Sequence, residues 1–340
     1  MEFLSRHVTR SRHERAGRAA ATGLATVGRM RIALINSGLG LLAAAAELRR
    51  QSPGVELILA MDPDGMPWGS RTPDDIAHRS LACAHAAAAY DPDALVFACN
   101  TGSVHALDAL RAEFEPRIPV VGTVPAIKPA AAGGHPIAIW ATAATTGSAY
   151  QRALIAQFAA AVAVTEVPCP GLADAINAGD EEATATAVAI AAARTPAQVS
   201  AVVLGCTEYE LAAPAIAVAR PGVSLHGSAR AVAAQALRRV VNGGADYGKG
   251  QGRPQADHGQ PESGPAGPAG PAGPAGPAGP AGPALRVLLS GRPGDLPPAA
   301  LRYREGRFLV LRPDPDPDPA PRPDPAGSGL SGAGSSSIRA

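Results

Sequence analysis

Eight short apolar runs, none alternating regularly with polar residues, constrain this chain most. They are RIALI (31–35), VELILA (55–60), ALVFA (94–98), PVVGT (119–123), PIAIWA (136–141), AVAVTEV (161–167), AVVLG (201–205) and VSLH (223–226). A strand with one wet face alternates, whereas a strand covered on both faces reads as a continuous apolar run. Windows of helical character lie between them at 74–89, 103–113, 146–160, 180–193, 208–219 and 229–241. Strand and helix in alternation predict an α/β fold with mostly parallel sheets and helices on both faces.

The runs also echo one another. RIALINSG (from 31) and PIAIWATAATTGS (from 136) both pass from a strand into a small, hydroxyl-rich turn, and each is followed at a similar distance by an apolar run ending in cysteine: ALVFACNT (94–101) and AVVLGCTE (201–208). Such an echo predicts two similar, pseudo-symmetric three-layer α/β/α domains, at 31–125 and 126–225, with a site between them. A helix at 226–243 closes the core, part of it packing on the first domain.

The ends differ in kind. Residues 1–29 are Arg-rich, lack the apolar segment of a secretory signal, and are expected to form a disordered extension, with Met30 a candidate natural start. Residues 244–284 are polar and breaker-rich, finishing in seven Gly-Pro-Ala triplets over 264–284. Seven triplets make a poor collagen helix, so the tract reads as a semi-rigid extended linker. Residues 285–311 regain strand and helix character as a last strand and helix of the core, and 312–340 are expected to be disordered. A net charge of +1 and a pI near 7.8 give no field that would draw nucleic acid or an anionic membrane. No apolar run approaches the roughly 18 residues of a membrane span. A cytoplasmic protein is expected.

The four cysteines, Cys83, Cys99, Cys169 and Cys206, show neither Cys-x-x-Cys pairs nor zinc-type spacing, so no metal is expected. Cys83 lies in a helical pattern and Cys169 in a Val-Pro-Cys-Pro-Gly turn, and both read as packing thiols. Cys99 and Cys206 differ because each follows a parallel strand where a helix should begin. There a thiol feels the positive end of the helix dipole, which favours the thiolate. Two facing thiols suit removal of a proton from one face of a carbon and its return to the other, with no cofactor. Thr101 and Thr207 stand close behind them as caps or as groups to hold a substrate oxygen.

Residues 31–242 resemble the glutamate racemase branch of the aspartate/glutamate racemase superfamily. NSGLGLL (36–42), MPWGSRTPDDI (66–76), ACNTGSVHALDALR (98–111), PVVGTVPAIKPAA (119–131), ATAATTGSAYQ (141–151), CPGLADAI (169–176) and LGCTEYEL (204–211) carry the resemblance in order. It implies cofactor-independent interconversion of L- and D-glutamate, supplying peptidoglycan synthesis, by a homodimer. Cys99 and Cys206 would be the two bases. Asn36, Ser37, Trp68, Gly69, Asn100, Thr101, Thr207 and Glu208 would contact substrate.

Three positions depart from that family. Asn36 stands where an aspartate is usual, Glu208 where a histidine is usual, and Asn177 in place of an acidic residue. An ionised Glu208 would raise the neighbouring thiol by like-charge repulsion. The Thr-Glu pair after the second cysteine is similar to the aspartate racemase branch, so aspartate or another acidic amino acid is an alternative substrate. A catalytically impaired, ligand-binding homologue is a third reading.

Overall fold

The computed structural model describes residues 30–246 and 284–310. The expectations for residues 1–29, the Gly-Pro-Ala tract and the tail from 312 lie outside the described residues. All eight apolar runs form strands, divided between two sheets. The first holds β1 (Arg31–Asn36), β2 (Glu56–Met61), β3 (Ala94–Phe97) and β4 (Val120–Gly122). The second holds β5 (Ile137–Ala141), β6 (Val164–Pro168), β7 (Ala201–Leu204) and β8 (Ser224–His226). Their orders, β2-β1-β3-β4 and β6-β5-β7-β8, are the same, and every pairing among these strands is parallel. The echo in the sequence is therefore topological: β1 corresponds to β5, and the cysteine-bearing β3 to β7.

The first sheet is extended by the far end of the chain. β9 (Leu285–Leu289) pairs in parallel with β2, Leu57 opposite Leu285 and Met61 opposite Leu289, and β10 (Arg292–Gly294) turns back antiparallel at the edge. Helix α10 (Arg304–Val310) then packs against α1 (Leu41–Gln51). The helix Ala229–Asp246, numbered α9 below, also lies on α1 and reaches β3 and β4, so the chain crosses back to the first sheet after β8.

Both faces of each sheet are covered, which is why the runs do not alternate. Ile32 and Leu34 of β1 join the side of α1, whereas Ala33 and Ile35 join the side of α2 (Pro73–Ala88) and α3 (Asn100–Phe114). In the second sheet Ile137 and Ile139 face α4 (Ile127–Ala131) and α5 (Ala149–Phe158). Ala138 and Trp140 face α6 (Leu172–Ala178) and α7 (Glu181–Arg194), in a core continuous with that of Ile32 and Leu34. The two sheets thus share one apolar interior.

Local chemistry starts and stops these helices. Thr72 caps α2 by accepting the Asp75 N–H, Pro73 occupies its first turn, and Asp74 and Asp75 complement its dipole. Helices α4 and α6 fall outside the windows expected from sequence, since five and seven residues are too few to display a helical period. Gly171 and Gly179, both left-handed, bound α6. The window at 208–219 divides into a 3-10 turn, Thr207–Glu210, and α8 (Ala213–Ala219), whose first turn contains Pro214.

β9 contributes Leu288, 2% exposed, to the α2 side of the first sheet. Leu288→Ala should therefore cost about 2–5 kcal/mol. It should be read as a lowered urea midpoint at unchanged slope; a loss below about 0.5 kcal/mol, the size of a surface substitution, would mean that the strand only lies alongside the core.

Candidate active site

The carboxyl ends of β1, β3 and β7 meet where the two sheets face each other. Asn36 ends β1 and is fully buried, and its Nδ2 donates to the Ala98 carbonyl at 2.6 Å and to Thr207 Oγ1 at 3.2 Å. Its Oδ1 accepts from Ser37 Oγ and from the Gly38 N–H, each at 3.3 Å. Asn100 makes a second crossing, donating Nδ2 to the Gly205 carbonyl at 2.8 Å. Asn177, in α6, accepts the Leu39 N–H at 2.7 Å and so holds the loop after β1 from the opposite half. Gly40 is fixed in identity by this closeness. A Cβ there would lie 2.3 Å from Thr207 Oγ1, 2.5 Å from Asn36 Nδ2 and 2.8 Å from Glu208 Cδ.

Cys99 and Cys206 occupy equivalent positions with different surroundings. Cys99 is the N-cap of α3, and its Sγ accepts the Gly102 N–H at 3.4 Å. Cys206 precedes only the four-residue 3-10 turn and makes no cap bond. A helix dipole accumulates over several turns, so the expected symmetric activation of two thiols at helix starts is corrected here: only Cys99 has a long helix behind it. Cys206 Sγ instead donates to Glu208 Oε2 at 2.9 Å, and Thr207 Oγ1 donates to the same oxygen at 3.2 Å.

These surroundings decide the protonation states. Burial, and next the Glu208 charge, push the Cys99 thiol up to about 12; the backbone N–H groups of Gly102, Thr101 and Ser37 pull the other way and lose. Cys206 is pushed well above its ordinary value by burial first, then by the Glu208 charge, the hydrogen bond to Glu208, and the charge on Cys99. The expectation that helix starts would favour the thiolates is thus overturned, because desolvation of a thiolate outweighs a few oriented amides. The same forces tie the pair together: Glu208 acts on both thiols, and each lies within electrostatic reach of the same carboxylate.

The departures at 36 and 208 are joined through one hydroxyl. Asn36 Nδ2 donates to Thr207 Oγ1, and Thr207 Oγ1 donates to Glu208 Oε2. An aspartate at 36 and a histidine at 208 would run the same three-group chain in the opposite direction, because carboxylates only accept and a histidine N–H donates.

Hydrogen bonds join Asn36, Ser37, Cys206, Thr207 and Glu208; Asn100 reaches the adjoining Gly205 carbonyl, Cys99 lies within electrostatic reach of Glu208 and Cys206, and Thr101 is in the first turn of α3. Trp68 and Gly69 make no hydrogen bond to this group, although Trp68 shares a core cluster with Cys99. The Trp68 indole is 1% exposed, packs 5.9 Å from Phe97, and donates Nε1–H to Asp62 Oδ2 at 2.9 Å, so its polar edge is already engaged. Gly69 is exposed, and a Cβ there would meet nothing within 4 Å. Asp62, which sequence reasoning passed over, is the organiser of this loop: besides Trp68 it accepts from Arg79 at 3.3 Å and from Ser290 at 2.9 Å. An acidic residue directly after a parallel strand was the available signal. Cys83 and Cys169 are buried in the core clusters, as packing thiols should be. A cleft of about 460 Å³ opens beside Cys169 and α7, and neither Cys99 nor Cys206 lines it.

With this geometry in view, the relatives can be compared. A family model described as Asp/Glu/hydantoin racemase matches residues 33–246. The chain belongs to the Asp/Glu/hydantoin racemase family. Among individual members it is 39% identical over 151 residues to glutamate racemase of Pseudomonas putida strain W619, covering 44% of this chain and 57% of that one. It is 38% identical over 157 residues to glutamate racemase of Roseiflexus, covering 46% and 57%. These alignments span under two thirds of the relatives' lengths. Escherichia coli glutamate racemase, solved with L-glutamate and the activator UDP-MurNAc-Ala, superposes with a TM-score of 0.57 at 31% identity, over 63% of this chain and 83% of that one. The enzyme from Thermus thermophilus shares the fold, with a TM-score of 0.55 at 23% identity. Among the described residues no helix is long and apolar enough to cross a membrane.

Removing the Glu208 charge should release both thiols. Glu208→Gln is expected to move thiolate formation, followed by ultraviolet absorbance in a pH titration, to lower pH for two cysteines; an unchanged titration would show that burial alone sets both values.

Proposed function

We propose that this chain is a cofactor-independent amino-acid racemase that interconverts L- and D-glutamate by proton transfer between Cys99 and Cys206. The observation that carries the proposal is the repetition of one constellation: a cysteine after the third strand of each of two four-strand units of the same order, both in reach of one carboxylate. One thiolate takes the α-proton, and the electron pair left on the carbon delocalises into the substrate carboxylate. The opposite thiol delivers its proton to the other face. The protein ends with its two cysteines exchanged in protonation, ready for the reverse reaction. Ser37, Asn100, Thr101 and Thr207 offer hydroxyl, amide and backbone donors suited to a carboxylate that gains charge in the transition state. The likeness to glutamate racemases supports glutamate as the substrate, and a cytoplasmic homodimer supplying D-glutamate for peptidoglycan follows from the same reading. Glu208 favours one alternative, aspartate, because the Thr-Glu pair resembles that branch of the superfamily.

Two bases imply two indispensable thiols. Cys99→Ser and Cys206→Ser should each slow interconversion by about 100-fold or more, measured by ¹H NMR of α-proton exchange in deuterated water from L- and D-glutamate and L- and D-aspartate. In the unaltered protein the rate should rise with pH across the alkaline range, as the thiolate fraction of Cys99, held near 12, grows. Full turnover in both serine variants would overturn the two-base reading.

A further inference from the structure

Glu208 is 4% exposed, yet no arginine, lysine or histidine pairs with it among the described residues. Its printed donors are the Cys206 thiol and the Thr207 hydroxyl, both on Oε2, and no described residue hydrogen-bonds Oε1. A buried carboxylate is costly to hold unless a cation or a full set of donors compensates it. Across the seam, Asn100 is 5% exposed, and with its Nδ2 given to the Gly205 carbonyl its Oδ1 is buried without a partner. An unfilled carboxylate and an unfilled amide oxygen, on the two sides of one site, ask for a group that is cationic and rich in N–H.

We propose that Glu208, aided by Asn100 Oδ1, is the receptor for the substrate ammonium, so that the negative charge facing the substrate sits in the second half, beside Cys206, and not at position 36. The proposal rests on the reading of the site as that of an amino-acid racemase and specifies its ligand as a zwitterionic α-amino acid. Asn36 cannot take this part: its Nδ2 is spent on Ala98 and Thr207, and its Oδ1 on Ser37 and Gly38. The groups that face Glu208 are Cys206, Thr207, Gly40 and, through its charge, Cys99. An ammonium bound there neutralises the one carboxylate that opposes thiolate formation at both cysteines, so substrate binding itself prepares the base.

The test is calorimetric binding of matched ligands to the full chain: L-glutamate against glutarate, and L-aspartate against succinate, which differ only in the amino group. In Glu208→Gln the amino acids should bind at least about tenfold more weakly, while the diacids bind as well as before or better; Glu208→Asp, which keeps the charge on a shorter arm, should fall between. Equal weakening of amino acid and diacid, no change in either, or failure of the unaltered protein to bind any amino acid would overturn the proposal. The same samples, assayed for α-proton exchange, separate this from the racemase reading: amino-acid binding that depends on Glu208 without any exchange leaves the ammonium receptor standing and removes the catalytic function.

Discussion

Everything at the centre of this molecule depends on one buried amide. Asn36, at the end of β1, donates two hydrogen bonds from a single nitrogen, one to the end of β3 and one to the loop after β7. A buried donor left without a partner costs on the order of 1–3 kcal/mol, and two acceptors forced together cost at least as much. The amide therefore fixes which groups can sit opposite it. Thr207 must accept from it, so Thr207 must donate elsewhere, and the carboxylate of Glu208 is the acceptor that completes the line. Glu208 is thus joined to Asn36 through the Thr207 hydroxyl.

That coupling also explains the unusual electrostatics. A site that houses two reactive thiols would ordinarily be arranged to favour thiolates. Here the long helix behind Cys99 offers its first amides, but the site also holds a carboxylate, and burial plus that charge prevails. Both thiols are thereby held toward the protonated form, and the thiolate is the reactive one.

Much of this was legible from sequence, and the reasons are physical. Runs such as RIALI and ALVFA state their environment directly, since only a strand covered on both faces can be continuously apolar. The cysteines announced themselves by standing at the ends of equivalent runs, and the departures at Asn36 and Glu208 could be seen as departures. Illegible were the features that need two distant segments at once. Nothing near Trp68 says that its indole turns toward Asp62, and nothing near Thr207 says that its helix shrinks to a 3-10 turn before Pro214 permits a new start. That Asn36 and Glu208 are linked is also invisible in a linear reading, because the hydroxyl joining them belongs to a third residue.

The entry of β9 into the first sheet has a consequence for the order in which the molecule can be made. Asp62 organises the loop that carries Trp68, and one of its three donors is Ser290, at the turn between β9 and β10. During synthesis, β1 to β4 emerge first and can pair, but the outer face of β2 and the third donor to Asp62 are missing until residue 290 has left the ribosome. The second sheet, built wholly from residues 137–226, can be complete by then. The half that is translated first is thus finished last, and its exposed strand edge waits, through the whole synthesis of its twin, for a partner more than two hundred residues downstream.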